Sequence, residues 1–381
     1  MILLEHGPGN KPAVFRNARE WITRWRVADV PRALQLADEA RRDGAWIAGY
    51  LAYEAGYAFE RKLGRPLDRL PDGPLVALGV FDGPEGADPV LAQAEQESRL
   101  SQMTPPEPLI TRADYDRAIC RVQDYIAAGD CYQINLTFPM TARITAGTPL
   151  GLYGALRRTG AVGHGAYVDT EDADAPVIIS RSPELFFRVD ASGRVVTRPM
   201  KGTRPRGANA VEDAAIMAEL QGAEKDRAEN LMIVDLLRND ISRMARVGSV
   251  KVPALYEIET YATVHQMTST VEGMLEAPPD LAALMAALFP CGSVTGAPKV
   301  RAMEIIRELE PQQRGVYCGT VGWMAPDGRA DFSVAIRTLS AFGQKIVMNV
   351  GGAVVHGSTA QGEWEEALWK ARFVKAAVSR G

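Results

Sequence analysis

The sequence predicts an α+β fold built on antiparallel sheet. Strand-like segments come in runs, and helical segments are interspersed among them without strict β–α–β alternation. With 381 residues the chain is long enough for one large domain or two closely packed ones.

The elements follow in order. Residues 1–80 mix a helix-like stretch, VPRALQLADEARRDG, with the apolar runs AWIAGYLAYEAGYAF and PLVALGVF. Residues 83–108 are rich in Pro, Gly and polar side chains and read as a linker between an N-terminal region, 1–100, and a larger one, 110–381. TRADYDRAICRVQDYIAAGD has helical spacing and stops at Gly129, and CYQINLTFPMTARI then alternates like a strand. Further strands are expected at GAYVDT, APVIISRSPELFFRVD, RVVTRPM, YCGTVGWMA, DFSVAIRTLSAF and KIVMNVGGAVV. Helices are expected at NAVEDAAIMAELQ, EKDRAENLMIVDLLRNDISRMA, PDLAALMAALF, PKVRAMEIIRELE and GEWEEALWKARFVKAAVSR.

Composition narrows the class. The formal charge is −4 with acidic and basic residues interleaved, so no basic tract points to nucleic acid. The four cysteines form no CxxC pair, which argues for reduced thiols in the cytoplasm rather than a disulfide framework or a zinc site. No secretory leader and no membrane-length apolar run is recognised.

Several motifs could carry chemistry. Glu363, Glu366 and Lys370 fall at i, i+3 and i+7 on one helix face, where carboxylates suit Mg²⁺ as well as a solvated surface. Glu229 leads an acidic helix start into an apolar run, which also fits simple helix-dipole complementation. GSVTGAPK, from Gly292 to Lys299, sets Ser293, Thr295 and Gly296 before a helix and can hold an anion or simply turn the chain. It is not a P-loop, because Lys299 does not follow the second glycine. Arg337 in DFSVAIRTL has the fork for a carboxylate, and Gly351 and Gly352 permit close backbone approach. Lys201 and Thr203 lie in PMKGT, and a desolvated lysine can act as a nucleophile. Glu184 and His265 are acid–base candidates with ordinary structural alternatives.

Taken in order, SPELFFRV, RPMKGTRPRG, DRAENLMIVDLLRND, VHQMTSTVEG, FPCGSVTGAPKVRAMEIIRELE, YCGTVGW, IRTL, VGGAVV and EWEE resemble the chorismate-utilising enzymes. The resemblance covers roughly residues 110–376 and takes in GDCYQINLT. It implies two antiparallel sheets packed as a sandwich with helices outside, as in anthranilate synthase component I. Residues 1–100 would contribute to the sandwich, and 110–381 would form the chorismate-binding catalytic part. By the same resemblance, Glu229 and Glu366 would hold Mg²⁺ with Glu363 close by. Tyr317, Arg337, Lys370, Thr203 and the backbone around Gly292–Gly296 and Gly351–Gly352 would hold the substrate. Glu184 would help the ring C4 hydroxyl leave, and His265 would stand beside the ring.

Lys201 distinguishes members of the family. Anthranilate synthases have a small residue at this position, and the members that make 4-amino-4-deoxychorismate have lysine. The resemblance therefore implies a covalent Lys201 adduct, with ammonia supplied by a separate glutamine amidotransferase subunit. An anthranilate synthase or a catalytically idle regulatory subunit is the alternative. Water-using members resemble enzymes with a general-base lysine near GDCYQ, where this chain has Gln133. GGAVVHGS departs from the family pattern at Ala353 and Gly357. Leu3–Glu5 and Gly49–Tyr57 resemble a region that binds tryptophan in some members.

Overall fold

The computed structural model describes residues 1–63, 67, 71–261, 264–276 and 278–378. Among these, one antiparallel sheet runs Gly296–Ala297, Gln133–Ala146, Lys345–Val355, Thr338–Phe342, Val177–Ser182, His164–Val168, Ile2–Gly7, Lys11–Phe15, Glu85–Gly86. The other runs Met200–Pro205, Val264–Met274, Arg194–Thr197, Leu185–Val189, Ala330–Val334, Thr320–Met324, Trp46–Leu51, Val76–Phe81, Glu20–Arg24. The antiparallel α+β sandwich expected from the sequence is the observed architecture. Residues before position 100 supply strands to both sheets.

Period-two alternation explains the layering. Ile2, Leu4, Phe15, Tyr50, Phe81 and Trp323, drawn from both sheets, form one apolar cluster between them. Their neighbours Leu3 and Val14 belong instead to a core shared with Val90, Ala94 and Tyr153 of two helices, Asp88–Ser98 and Pro149–Arg157. Ile47, Leu78 and Val80 of the second sheet join Ala33, Leu34 and Ala37 of helix Val30–Arg42 in the same core.

The segment read as a linker is therefore partly structural. Its VLAQA stretch has helical spacing inside a Pro/Gly-rich frame, and the helix it forms packs on Pro149–Arg157. Gly154 makes that approach possible, since a Cβ there would lie 2.0 Å from the Ala94 carbonyl oxygen. Helix Arg112–Ala127 starts at a capping box formed by Thr111 and Asp114 and ends before Gly129, whose φ is +80°.

Two spans read as single strands each divide between the sheets. Val177–Ser182 lies in the first and Leu185–Val189 in the second, with Pro183 and Glu184 at the crossing. Ala330–Val334 lies in the second and Thr338–Phe342 in the first, with Arg337 at φ +51° in the crossing. The crossings are neighbours: Ser182 Oγ donates to the Val334 carbonyl (2.5 Å), and the Arg181 amide donates to the Arg337 carbonyl (3.0 Å). Glu184 and Arg337 thus stand side by side where the chain leaves one sheet for the other.

The last helix, Ala360–Lys370, gives way to a 3₁₀ turn over Ala371–Ala377 rather than continuing; Ser379 and Arg380 lie outside the described residues. Helix Pro149–Arg157 and the hairpin Lys251–Thr260/Val264–Met274 were not anticipated. The outer strand of that hairpin contains Pro253, shifts register twice against its partner and places Tyr256 at φ +59°, so its alternation is broken. No helix among the described residues is long and apolar enough to cross a membrane.

Candidate active site

A cleft of about 540 Å³ opens beside the two crossings. Strand Lys345–Val355 contributes Asn349, Gly351 and Ala353, and strand Gln133–Ala146 contributes Asn135. From the second sheet comes Lys201, by a local irregularity. Met200 pairs with Thr268 and Thr203 with Gln266, so two residues, Lys201 and Gly202, face one on the partner strand. This is a β-bulge, with Gly202 at φ +78°, a conformation that suits glycine. It turns Lys201 into the cleft, where Nζ lies 3.5 Å from the Ser293 carbonyl oxygen.

Glu184 is buried, and its Oε1 accepts from Ser293 Oγ at 2.6 Å. Burial pushes its carboxyl above the ordinary range, against the opposing influence of Ser293, Lys201 and Arg337. Desolvation also lowers the Lys201 ammonium, opposed by Glu229 and Glu184. The Arg337 guanidinium is likewise lowered by burial, with Glu184 acting the other way. Its side chain makes no hydrogen bond or ion pair to the described residues, which leaves its fork available to an anion.

The carboxylates meet on the opposite wall. Gly352 marks their convergence: a Cβ there would lie 2.9 Å from Glu363 Oε2, 3.5 Å from Lys370 Nζ and 3.6 Å from Glu366 Oε1. Glu363 Oε1 accepts from Ser358 Oγ (2.6 Å), while its Oε2 is buried with no hydrogen-bond partner among the described residues. Burial raises the carboxyls of Glu229 and Glu363; each is raised further by a neighbouring carboxylate, Asp226 and Glu363 for the former and Glu366 for the latter. For Glu366 burial pushes upward, but Lys370, at 2.8 Å, together with Lys225 and Lys201 outweighs it. Lys370 Nζ also donates to the Gly351 carbonyl at 2.8 Å.

This donor set suits Mg²⁺. It consists of hard carboxylate oxygens, one of them buried and unpartnered, and Mg²⁺ needs only one or two protein carboxylates beside substrate and water oxygens. Among the described residues no three His, Cys, Asp or Glu side chains are grouped to hold a metal ion by themselves, so water or substrate oxygens would have to complete the coordination.

The structure brings Lys201, Thr203, Glu184, Glu229, Ser293, Tyr317, Arg337, Gly351, Glu363, Glu366 and Lys370 to this one cleft. It places other candidates elsewhere. His265 is fully buried behind the cleft lining, with Nε2 2.8 Å from Asp213 Oδ1 and Nδ1 3.0 Å from Thr260 Oγ1. Gly292, Thr295 and Gly296 hold the turn that presents Ser293. Thr295 Oγ1 donates to the carbonyls of Cys291 and Gly292 (3.2 Å each), and Gly296 presses against the Gln133 carbonyl. Gln133 is buried off the cleft, with neither end of its amide paired among the described residues. Glu5 is taken up by Tyr153 (2.6 Å), Arg157 (2.9 Å) and Arg181.

Sequence reasoning missed Asn135, Gln266 and Asn349, which line the cleft as neutral amides within strand-like runs. An amide at an inward position of an otherwise apolar strand was the available signal. It also missed Arg314. This buried guanidinium donates to Glu310, to the Val294 carbonyl (2.8 Å) and to the Asn135 carbonyl (2.6 Å), and so fixes two segments of the cleft wall.

A family model described as chorismate binding enzyme matches residues 11–376. An aminodeoxychorismate synthase of Streptomyces pristinaespiralis is 47% identical over 255 residues, covering 66% of this chain and 35% of that protein. The anthranilate synthase component 1 of Pseudomonas aeruginosa is 40% identical over 269 residues, covering 71% of this chain and 54% of that protein. The chain therefore spans about a third to a half of the length of these relatives. The crystal structure of anthranilate synthase component I from Streptococcus pneumoniae superposes with a TM-score of 0.80 at 27% identity, covering 95% of this chain and 91% of that one.

Proposed function

This chain belongs to the chorismate-binding enzyme family, and on that premise we propose that it aminates chorismate to 4-amino-4-deoxychorismate, with Lys201 as a covalent nucleophile. The observation that carries the reading is the bulge that turns a desolvated lysine into the cleft, toward Ser293 and the buried acid Glu184. Relatives of both the aminodeoxychorismate and the anthranilate type resemble this chain, so the chemistry at position 201 must separate them.

In this reading Arg337, Tyr317 and Lys370 bind the substrate's carboxylates, with the Ser293–Val294 turn completing the wall. Glu229, Glu363 and Glu366 would hold Mg²⁺, which supplies charge stabilisation to the ring carboxylate when bound. The neutral Lys201 amine attacks C2, the ring double bonds shift from C1–C2 and C5–C6 to C1–C6 and C4–C5, and the C4–O bond breaks. Glu184 delivers the proton with which the hydroxyl leaves as water. Ammonia then attacks C4, both double bonds shift back to C5–C6 and C1–C2, the C2–N bond breaks and the lysine is released. Burial supports both roles: it shifts Glu184 toward its protonated form and Lys201 toward its neutral form. Ammonia would come from a separate glutamine amidotransferase, consistent with the name component 1 borne by the Pseudomonas relative.

The test is mass spectrometry of the products formed from chorismate, Mg²⁺ and ammonium by the purified protein and by Lys201→Ala. The expected product is 4-amino-4-deoxychorismate, lost in the variant. Anthranilate as product, or full activity in Lys201→Ala, would overturn the covalent reading.

A further inference from the structure

The bulge that aims Lys201 is clamped by a single side chain. Gln266 Nε2 donates to the Gly202 carbonyl at 2.9 Å, and Gln266 Oε1 accepts from Thr203 Oγ1 at 2.9 Å. Both ends of one amide therefore grip the two residues that follow Lys201. Gln266 is 8% exposed, so these bonds form where little water competes. A glycine at φ +78° has other conformations open to it, and the extra residue of a bulge has no ladder partner of its own. The remaining local contacts hold the strand beyond the bulge: Arg204 reaches Glu219 and Asp226 and returns to the Thr203 carbonyl at 3.1 Å. Leu220 and Asp226 also stand against Gly202, on the side where a Cβ would lie.

We infer that Gln266 is a positioning residue, which locks the Met200–Thr203 bulge and so directs Lys201 Nζ across the cleft at Ser293 and Glu184. The inference rests on the reading of Lys201 as the nucleophile. It also gives the Thr203 hydroxyl a structural task, since that donor is occupied by Gln266 rather than offered to the substrate.

Gln266→Leu keeps the volume and removes both bonds; Thr203→Val removes one of them from the other side and guards against a misfolded first variant. The first readout needs no turnover. Each folded protein is treated with limiting acetic anhydride at one fixed alkaline pH, and acetylation of Lys201 is mapped against that of Lys225, which is 67% exposed. The Lys201/Lys225 ratio should change several-fold in Gln266→Leu and less in Thr203→Val. The second readout is kinetic: kcat should fall on the order of 10- to 100-fold, as expected when a reacting group is misplaced by about 1 Å. KM for chorismate should stay nearly constant. An unchanged labelling ratio in both variants overturns the inference. A changed ratio with unaffected turnover keeps the clamp and overturns the nucleophilic role of Lys201 instead.

Discussion

Burial holds the Glu184 carboxyl above its ordinary value despite the Ser293 hydroxyl, Lys201 and Arg337. A carboxyl with a raised folded-state pKa contributes stability below its unfolded pKa and loses it as pH rises through the folded value. Glutamine in its place can still accept from Ser293 and never ionises. Glu184→Gln should therefore lower kcat by about 100- to 10,000-fold, the range for loss of a general acid. The same change should raise the denaturation midpoint above neutral pH; an active variant with no gain in midpoint would contradict both halves. Glu54 offers a control away from the cleft. It is 2% exposed, accepts from the Arg314 and Gly315 amides (2.6 and 3.1 Å), and burial pushes it up to about 7. By the same sign, its contribution fades as pH rises from the ordinary carboxyl range to about 7. The stability of wild type relative to Glu54→Gln should fall across that window at on the order of 1 kcal/mol per pH unit. Denaturation at several pH values measures it, and a flat difference would remove Glu54 as the titrating group.

Between elements, a buried ion pair ties the carboxylate wall to the anion-facing turn. Lys299 Nζ, at the start of helix Lys299–Leu309, meets Asp240 Oδ2 at 2.5 Å and the Leu288 carbonyl at 3.0 Å. Asp240 lies on helix Glu224–Ser242, which also carries Glu229. The GSVTGAPK motif thus uses its lysine for architecture and its serine for the cleft. Lys299→Met should cost about 3–5 kcal/mol by stranding a buried carboxylate, and adding Asp240→Leu should recover part of it. Chemical denaturation of the single and double variants checks this; an additive double would mean the pair is not coupled. At this scale the sequence was legible where periodicity was unbroken, as in Lys345–Val355 and Glu224–Ser242. It was not legible at Pro183–Glu184 and Ile336–Arg337, because alternation continues through a change of sheet: the pattern records which face is apolar, not which ladder the backbone joins.

Across the whole molecule, the two sheets are sealed by aromatic side chains at one end and part around charged ones at the other. The described chain thus gathers Glu184, Glu229 and Glu363, with carboxyls raised by desolvation, in a single cleft. Mg²⁺ should relieve part of that strain. At about 100-fold excess over its Kd, a ligand binding only the folded state adds about 2.7 kcal/mol. A thermal-shift titration without chorismate should show a rise that shrinks as falling pH protonates the carboxyls, and that is smaller in Glu363→Gln. No rise, or an equal rise in that variant, would take Glu363 out of the metal set.

The sequence by itself determined the α+β class, the order of the family's motifs and most of the charged residues that reach the cleft, because residue type and short-range spacing are local properties. The tertiary structure alone decided which of those residues meet. It set Glu184 beside Arg337 at paired crossings, turned Lys201 inward through a bulge, and kept His265 behind the wall on Asp213. Those outcomes depend on strand register and on sheets formed from segments far apart in the chain, and no local pattern carries that information.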